Sequence, residues 1–281
     1  MIIDLHMHSN VSDGSLPPRE LVALAKASGV SLMALTDHDT MAGVPEAAKA
    51  ADEAGIGFIP GVEISTGWGG QTVHIVGLGL DAGDEETERF FRGASTLRDK
   101  RGQRIAEKFE SLYGIKGSYE GALAFAGNKE NLSRTHFARW LLKEGIVKTY
   151  QEAFDRFLKT GRPCFVQTDW PSVDEAVAII HRTGGLAVIA HPGRYHFDSE
   201  WMGDELCRDF KRMGGDAIEV CSGSQSPAAD LHFAQVARDL GFLASAGSDW
   251  HSAGGTRPAP GHQAPIPPDL TPVWEKLRVG R

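Results

Sequence analysis

The sequence predicts a parallel α/β barrel, closed or left incomplete, that carries a helical insertion. Three observations lead there. Seven short runs rich in Val, Ile, Leu and Ala recur along the 281 residues. Stretches of helical periodicity separate most of them. Residues 98–165 then break the rhythm with helices alone. Short unbroken apolar runs suit strands buried on both faces, and strand–helix alternation closes most simply into a parallel barrel.

Taken in order, the strands fall at Ile2–Leu5, Leu32–Thr36, Gly57–Ile64, Thr72–Leu80, Leu186–Ala190, Ala217–Val220 and Leu243–Ala246. Helices are expected over Glu20–Ser28, Val44–Ala54, Val173–Thr183, Leu206–Met213 and Pro227–Leu240. Ser172 with Glu175 three residues on makes a capping box at one helix start, and Gly184 and Gly241 stand where helices should stop. The insertion reads as Lys100–Leu112, His136–Glu144 and Tyr150–Lys159. The domain reading is therefore a barrel from 1–98 and 165–281, with 99–164 inserted as a helical substrate lid. The tail from Gly254 holds six prolines and should wrap the surface without adding sheet.

Net charge is −8, unevenly spread: residues 98–165 contain fourteen Lys/Arg and eight Asp/Glu. A basic segment on an acidic body suggests either a surface that meets anions or a solvated helical face. No apolar run is long enough to span a membrane, and the N-terminus shows no basic segment followed by an apolar one. Cys164, Cys207 and Cys221 are odd in number and far apart, which points to a reducing compartment, by default the cytoplasm.

The polar residues carry the functional signal. Strand one leads into His6 and His8, which point the same way in extended backbone, with Asp13 a loop's reach away. Two imidazoles and a carboxylate suit zinc, iron or manganese; an isolated His-x-His would instead be a surface pair. The pattern does not stay isolated. Strand two ends in Thr36-Asp37-His38-Asp39, strand three carries Glu63 in an apolar context, and strand four carries His74. A later strand ends in His191-Pro192-Gly193-Arg194, and the last in Gly247-Ser248-Asp249-Trp250-His251. The C-terminal ends of barrel strands are where sites assemble. Ionisable groups buried there cost several kcal/mol each unless paired or metal-bound. A site holding several metal ions is the reading.

The motifs Asp4-Leu5-His6-Met7-His8-Ser9, Thr36-Asp37-His38-Asp39, Gly61-Val62-Glu63, His191-Pro192 and Gly247-Ser248-Asp249-Trp250-His251 resemble the polymerase and histidinol phosphatase (PHP) superfamily. The resemblance covers residues 1–92 and 165–256. It implies a distorted (β/α)₇ barrel and a metal-dependent phosphoesterase with two or three divalent ions, Mn²⁺ first and Zn²⁺ or Fe²⁺ as alternatives. Carried over, one metal takes His6, His8, Glu63 and Asp249. A second shares Glu63 and adds His74 and His191. A third takes Asp13, His38 and His251. Asp13 stands where many relatives have histidine, and His74 has a core-histidine alternative. Clustered ions about 3.5–4 Å apart turn water into a nucleophile and neutralise developing charge. His6, His8, Glu63, His191 and Asp249 would hold that metal-bound hydroxide. Asp37 and Asp39 would orient ligands or cap helices.

For substrate, Arg194 should lie beside the site, and Ser133-Arg134-Thr135-His136 is similar to the Arg-x-His element of nucleotide-hydrolysing family members. Guanidinium groups suit phosphate; a surface salt bridge is the alternative for Arg134. His196 and Ser222 would contact the leaving group or a second phosphate, with His196 a general acid or a solvent-facing residue. The implied activity is removal of the 3′-phosphate from nucleoside 3′,5′-bisphosphates, with 5′-to-3′ exonuclease action on short RNA. No obligatory protein partner is evident. The rivals are a histidinol-phosphate or other small phosphomonoester phosphatase, a non-catalytic metal-binding module, and an amidohydrolase-like carbon–nitrogen hydrolase.

Overall fold

In a computed structural model describing residues 1–81, 83–197, 199, 201–254 and 257–277, the sheet follows chain order: β1 (Ile2–Asp4), β2 (Val30–Leu35), β3 (Gly57–Trp68), β4 (Gln71–Leu78), β5 (Leu186–Ile189), β6 (Ala217–Ser222) and β7 (Leu243–Gly247). The helices are α1 (Pro18–Ala27), α2 (Val44–Ala54), α3 (Glu85–Tyr113), α4 (Ser118–Ala126), α5 (Arg134–Lys143), α6 (Tyr150–Ala153), α7 (Val173–Arg182), α8 (Trp201–Arg212) and α9 (Pro227–Leu240). These residues form two compact units, Met1–Phe90 with Pro171–Arg281, and Phe91–Trp170.

Every predicted strand is present, but β4 corrects the expectation of a wholly parallel sheet. It runs antiparallel to both β3 and β5. The link between β3 and β4 is only Gly69-Gly70, with φ of 56° and 75°. Two successive residues at positive φ make the two-residue hairpin turn that glycine permits, and two residues cannot form the crossover a parallel neighbour requires. The sheet is nearly closed. Past β1 the chain runs beside the end of β7, where Leu5 N donates to Ala246 O at 3.0 Å and His8 N to Trp250 O at 3.0 Å.

Leu5, Leu32, Ala34, Ile59, Val76, Leu78, Val188 and Ala217 from the strands form one buried cluster, completed by Val273 from the tail. A second, with Leu21, Val22, Ala47 and Ala51 of α1 and α2 against Met33 and Leu35 of β2, covers the sheet's flank. Each buried Leu, Ile, Val or Met side chain among them contributes about 1.5–3 kcal/mol by leaving water. The tail wraps as expected but is tied down: Gly261 N donates to Asp4 Oδ2 at 2.8 Å, and Ala244 bridges Pro272.

In the second unit Phe109 packs on Phe137 and Phe157, with ring centroids 6.2 and 5.4 Å apart. Leu132, Trp140, Leu141 and Leu158 fill the space around them. Here α3 is much longer than predicted, and α4 was not expected at all. Tyr150–Lys159 is four residues of α-helix followed by a π-turn at Phe154–Leu158. Among the described residues no helix is long and apolar enough to cross a membrane.

Candidate metal centre

The site begins where β1 stops. Met7 exchanges hydrogen bonds with Thr36: Thr36 N donates to Met7 O and Thr36 Oγ1 accepts from Met7 N. That pairing keeps the backbone extended, so Met7 is buried on one side while His6 and His8 share the other, with rings 5.2 Å apart. The next turn folds Asp13 back. Asp37 clamps it, accepting from Ser9 N at 2.8 Å, Ser9 Oγ at 2.6 Å and Ser12 Oγ at 2.6 Å. Gly14 allows the turn, since a Cβ there would lie 2.2 Å from His8 O. Asp37 thus fixes the loop that carries Asp13. Asp39, at φ 52°, accepts from Ser65 N at 2.6 Å and locks the chain after His38 to β3.

Glu63 on β3 is the hub. Its Oε2 lies 3.3 Å from His6 Nε2, 3.2 Å from His8 Nε2 and 3.0 Å from His38 Nδ1. Its Oε1 lies 2.8 Å from His74 Nδ1 and 2.9 Å from His191 Nε2. The reversed direction of β4 brings its start to this end of the sheet, which is where His74 sits. Asp249 divides its oxygens. Oδ1 approaches His6, His8 and His251 at 3.5–3.7 Å, while Oδ2 accepts from Arg257 at 2.9 Å and Arg194 at 3.4 Å. His251 donates from Nδ1 to Asp249 O, leaving Nε2 3.3 Å from Asp13 Oδ1.

The nine residues named as ligands therefore meet in one place, though in overlapping groups. Atoms within 4.8 Å of one another come from His8, Asp13, His38 and His251; from His6, Glu63 and His191; from His6, His8 and Asp249; and from His38, Glu63 and His74. His38 faces Glu63 and His74 as well as Asp13 and His251. Buried atoms without a hydrogen-bond partner gather here: His6 Nε2, both ring nitrogens of His8, His38 Nδ1, Glu63 Oε2, His74 Nδ1 and Asp249 Oδ1. A protein interior rarely leaves such atoms unsatisfied, and mixed imidazole and carboxylate donors are what divalent transition ions take. The residues fit several ions.

The electrostatics agree. Burial works against the Glu63 charge, but His38, His74 and His6 hold its carboxyl well below the usual range. Burial likewise opposes the charge of Asp249, and Arg257 and His251 overcome it. His8 is raised to about 9, because Asp249 and Glu63 outweigh its burial. Burial drives His191 down to about 3 despite its contact with Glu63. His191 and Asp249 also hold positive φ, 30° and 52°, a conformation that non-glycine residues keep only when their surroundings impose it.

The other expected residues are placed as follows. Arg194 is exposed beside Asp249. His196 is exposed, and its carbonyl accepts from Gln71. Ser222 ends β6, its hydroxyl 3.1 Å from that of Ser224. Arg134 opens α5, donates to Leu158 O at 3.3 Å and lies over the Phe165 ring. His136 caps that same helix, its Nδ1 accepting from Ser133 N at 3.1 Å. Sequence reasoning missed three residues. Glu219 on β6 contacts His6, and Arg257 in the tail contacts Asp249. The Tyr195 hydroxyl accepts from His74 N at 2.8 Å and donates to Ala190 O. Glu219 alone left a signal, a carboxylate in an apolar run like that of Glu63.

The PHP domain model matches residues 4–161. The chain belongs to the PHP domain family. Among curated relatives, a 3′,5′-nucleoside bisphosphate phosphatase of Chromobacterium violaceum is 44% identical over 99% of this chain and 96% of its own length. A 5′-3′ exoribonuclease of Haemophilus influenzae is 41% identical over 98% of each. A crystal structure from Chromobacterium violaceum, described as an amidohydrolase with bound sulfate and no metal, superposes with a TM-score of 0.94 at 42% identity, covering 100% of this chain and 98% of that one.

Proposed function

We propose that this PHP protein is a metal-dependent phosphoesterase that removes the 3′-phosphate from nucleoside 3′,5′-bisphosphates and also trims short RNA from its 5′ end. The observation that carries the reading is the convergence of His6, His8, Asp13, His38, Glu63, His74, His191, Asp249 and His251, with buried ring nitrogens of His6, His8, His38 and His74 and one oxygen each of Glu63 and Asp249 left without a hydrogen-bond partner. Its near-full-length likeness to a bisphosphate phosphatase supplies the substrate class.

Divalent ions held there, manganese first, would supply an activated water and neutralise charge on the phosphoryl oxygens. The protein's own part is to place and tune the ligands. Glu63 spans both halves of the cluster, and Asp37 fixes the loop that carries Asp13. Asp249 faces the ligand set with one oxygen and two arginines with the other. Arg194, with 44% of its side chain exposed beside Asp249, is the cation assigned to the reacting phosphate. That cation favours a phosphoester over the amide suggested by the name of the structural relative. Arg134 is assigned to the second phosphate through its Arg-x-His motif. His196 and Ser222 are read as leaving-group contacts. Three free buried cysteines fit a reducing compartment, the cytoplasm.

Purified protein loaded with manganese should release phosphate from adenosine 3′,5′-bisphosphate, leaving adenosine 5′-monophosphate, in preference to histidinol phosphate. Preference for histidinol phosphate would overturn the nucleotide assignment.

A further inference from the structure

Glu219 lies on β6 with 2% of its surface exposed, and no motif named above includes it. Its Oε2 sits 3.0 Å from His6 Nδ1, the ring nitrogen turned away from the ligand cluster. The same oxygen accepts from the backbone N–H of His191 at 2.8 Å. The two residues it holds have rings stacked with centroids 5.5 Å apart, and each meets a different oxygen of Glu63. His6 Nε2 faces Glu63 Oε2, and His191 Nε2 faces Glu63 Oε1.

We infer that Glu219 is a positioning residue that sets the two stacked imidazoles meeting the two oxygens of Glu63 at once. By accepting from Nδ1 it fixes the His6 tautomer that leaves Nε2 with its lone pair toward the ions, and it strengthens that nitrogen as a donor. By accepting from His191 N it holds the backbone at φ 30°, the left-handed turn that aims the His191 ring at Glu63. The second oxygen, Oε1, is buried without a hydrogen-bond partner. A buried carboxylate so poorly satisfied is costly in an apolar strand, and cations beside His6 and His191 are what compensate it.

The inference rests on the metal reading of the site, and manganese(II) alone tests it, without substrate. Glu219→Gln retains an oxygen able to accept both bonds but loses the charge; Glu219→Ala loses both. Manganese affinity, followed by the electron paramagnetic signal of the free ion, should fall about tenfold in Glu219→Gln and about a hundredfold in Glu219→Ala. The melting temperature of the metal-free Glu219→Gln protein should stay near that of the wild type. In the zinc-loaded wild type, nitrogen-15 NMR should find His6 protonated at Nδ1. Wild-type manganese affinity in Glu219→Gln, or a loss confined to metal-free stability, would overturn the assignment of Glu219 alone. Failure of the wild-type protein to bind manganese would overturn the assignment together with the metal reading. Glu219→Gln keeps the test decisive if the alanine variant does not fold.

Discussion

Replacing Glu63 with glutamine removes one negative charge from the middle of the cluster and leaves the side chain's shape almost unchanged. Five ring nitrogens lie 2.8–3.3 Å from its two oxygens, and 1% of the side chain is exposed. Water therefore screens it little. At an effective dielectric near 20, a unit charge acting over about 4 Å contributes about 4 kcal/mol, close to a thousandfold in a binding constant. Glu63→Gln should bind manganese roughly a thousandfold more weakly and lose turnover of adenosine 3′,5′-bisphosphate to at least the same degree. Equilibrium dialysis and phosphate release measure the two effects, with circular dichroism to show that the variant is folded. Affinity and turnover both within tenfold of the wild type would refute the hub role of this carboxylate.

A proton competes with metal at His8, whose pKa of about 9 keeps it charged at neutral pH. Since a ligating imidazole must be neutral, manganese affinity should rise by up to about tenfold per unit between pH 7 and 9 and level off above. A pH-stat should record acid released on loading; a flat profile would contradict this. Gly247 is wedged against β1, so a Cβ in Gly247→Ala would fall 2.2 Å from His6 Cβ and 2.8 Å from His6 N. Overpacking of this kind costs about 1–3 kcal/mol. The variant should melt several degrees lower and hold manganese less tightly, as thermal scans with and without chelator would show. Arg194→Ala should raise KM for the bisphosphate about tenfold, the low end for a charged hydrogen bond at a half-exposed site. Arg134→Ala should weaken capture of substrates with two phosphates and spare those with one; steady-state kinetics on matched pairs separate the two arginines.

The strands were legible because their side chains answer to burial alone, and the convergence of the nine polar residues because six strands carry groups an apolar sheet has no other reason to hold. The direction of β4 was obscured by a turn of only two glycines inside a pattern read as strand, helix, strand. Helix α4 escaped because Gly117, Gly121 and Gly127 make Ser118–Ala126 look like loop. The structure packs Gly121 against the Trp140 ring, where any larger residue would collide. The overlap of His38 with the Glu63 and His74 group was invisible, because a ring has two nitrogens and spacing alone does not say which neighbour each one meets. Arg257 and Tyr195 carry no local signal. Their roles arise from a proline-rich tail and a short loop brought beside Asp249 and His74 by the folded chain.

The sheet's seam joins residues near opposite ends of the polypeptide: Ser248 N donates to Asp4 Oδ1 across 244 positions of sequence. A growing chain cannot assemble the full cluster of histidines and carboxylates until residues as late as Asp249 and His251 have emerged from the ribosome. Contacts so distant in sequence form late and slowly, so a polypeptide interrupted before β7 would lack Asp249 and His251, and with them the groups they complete around His6, His8 and Asp13.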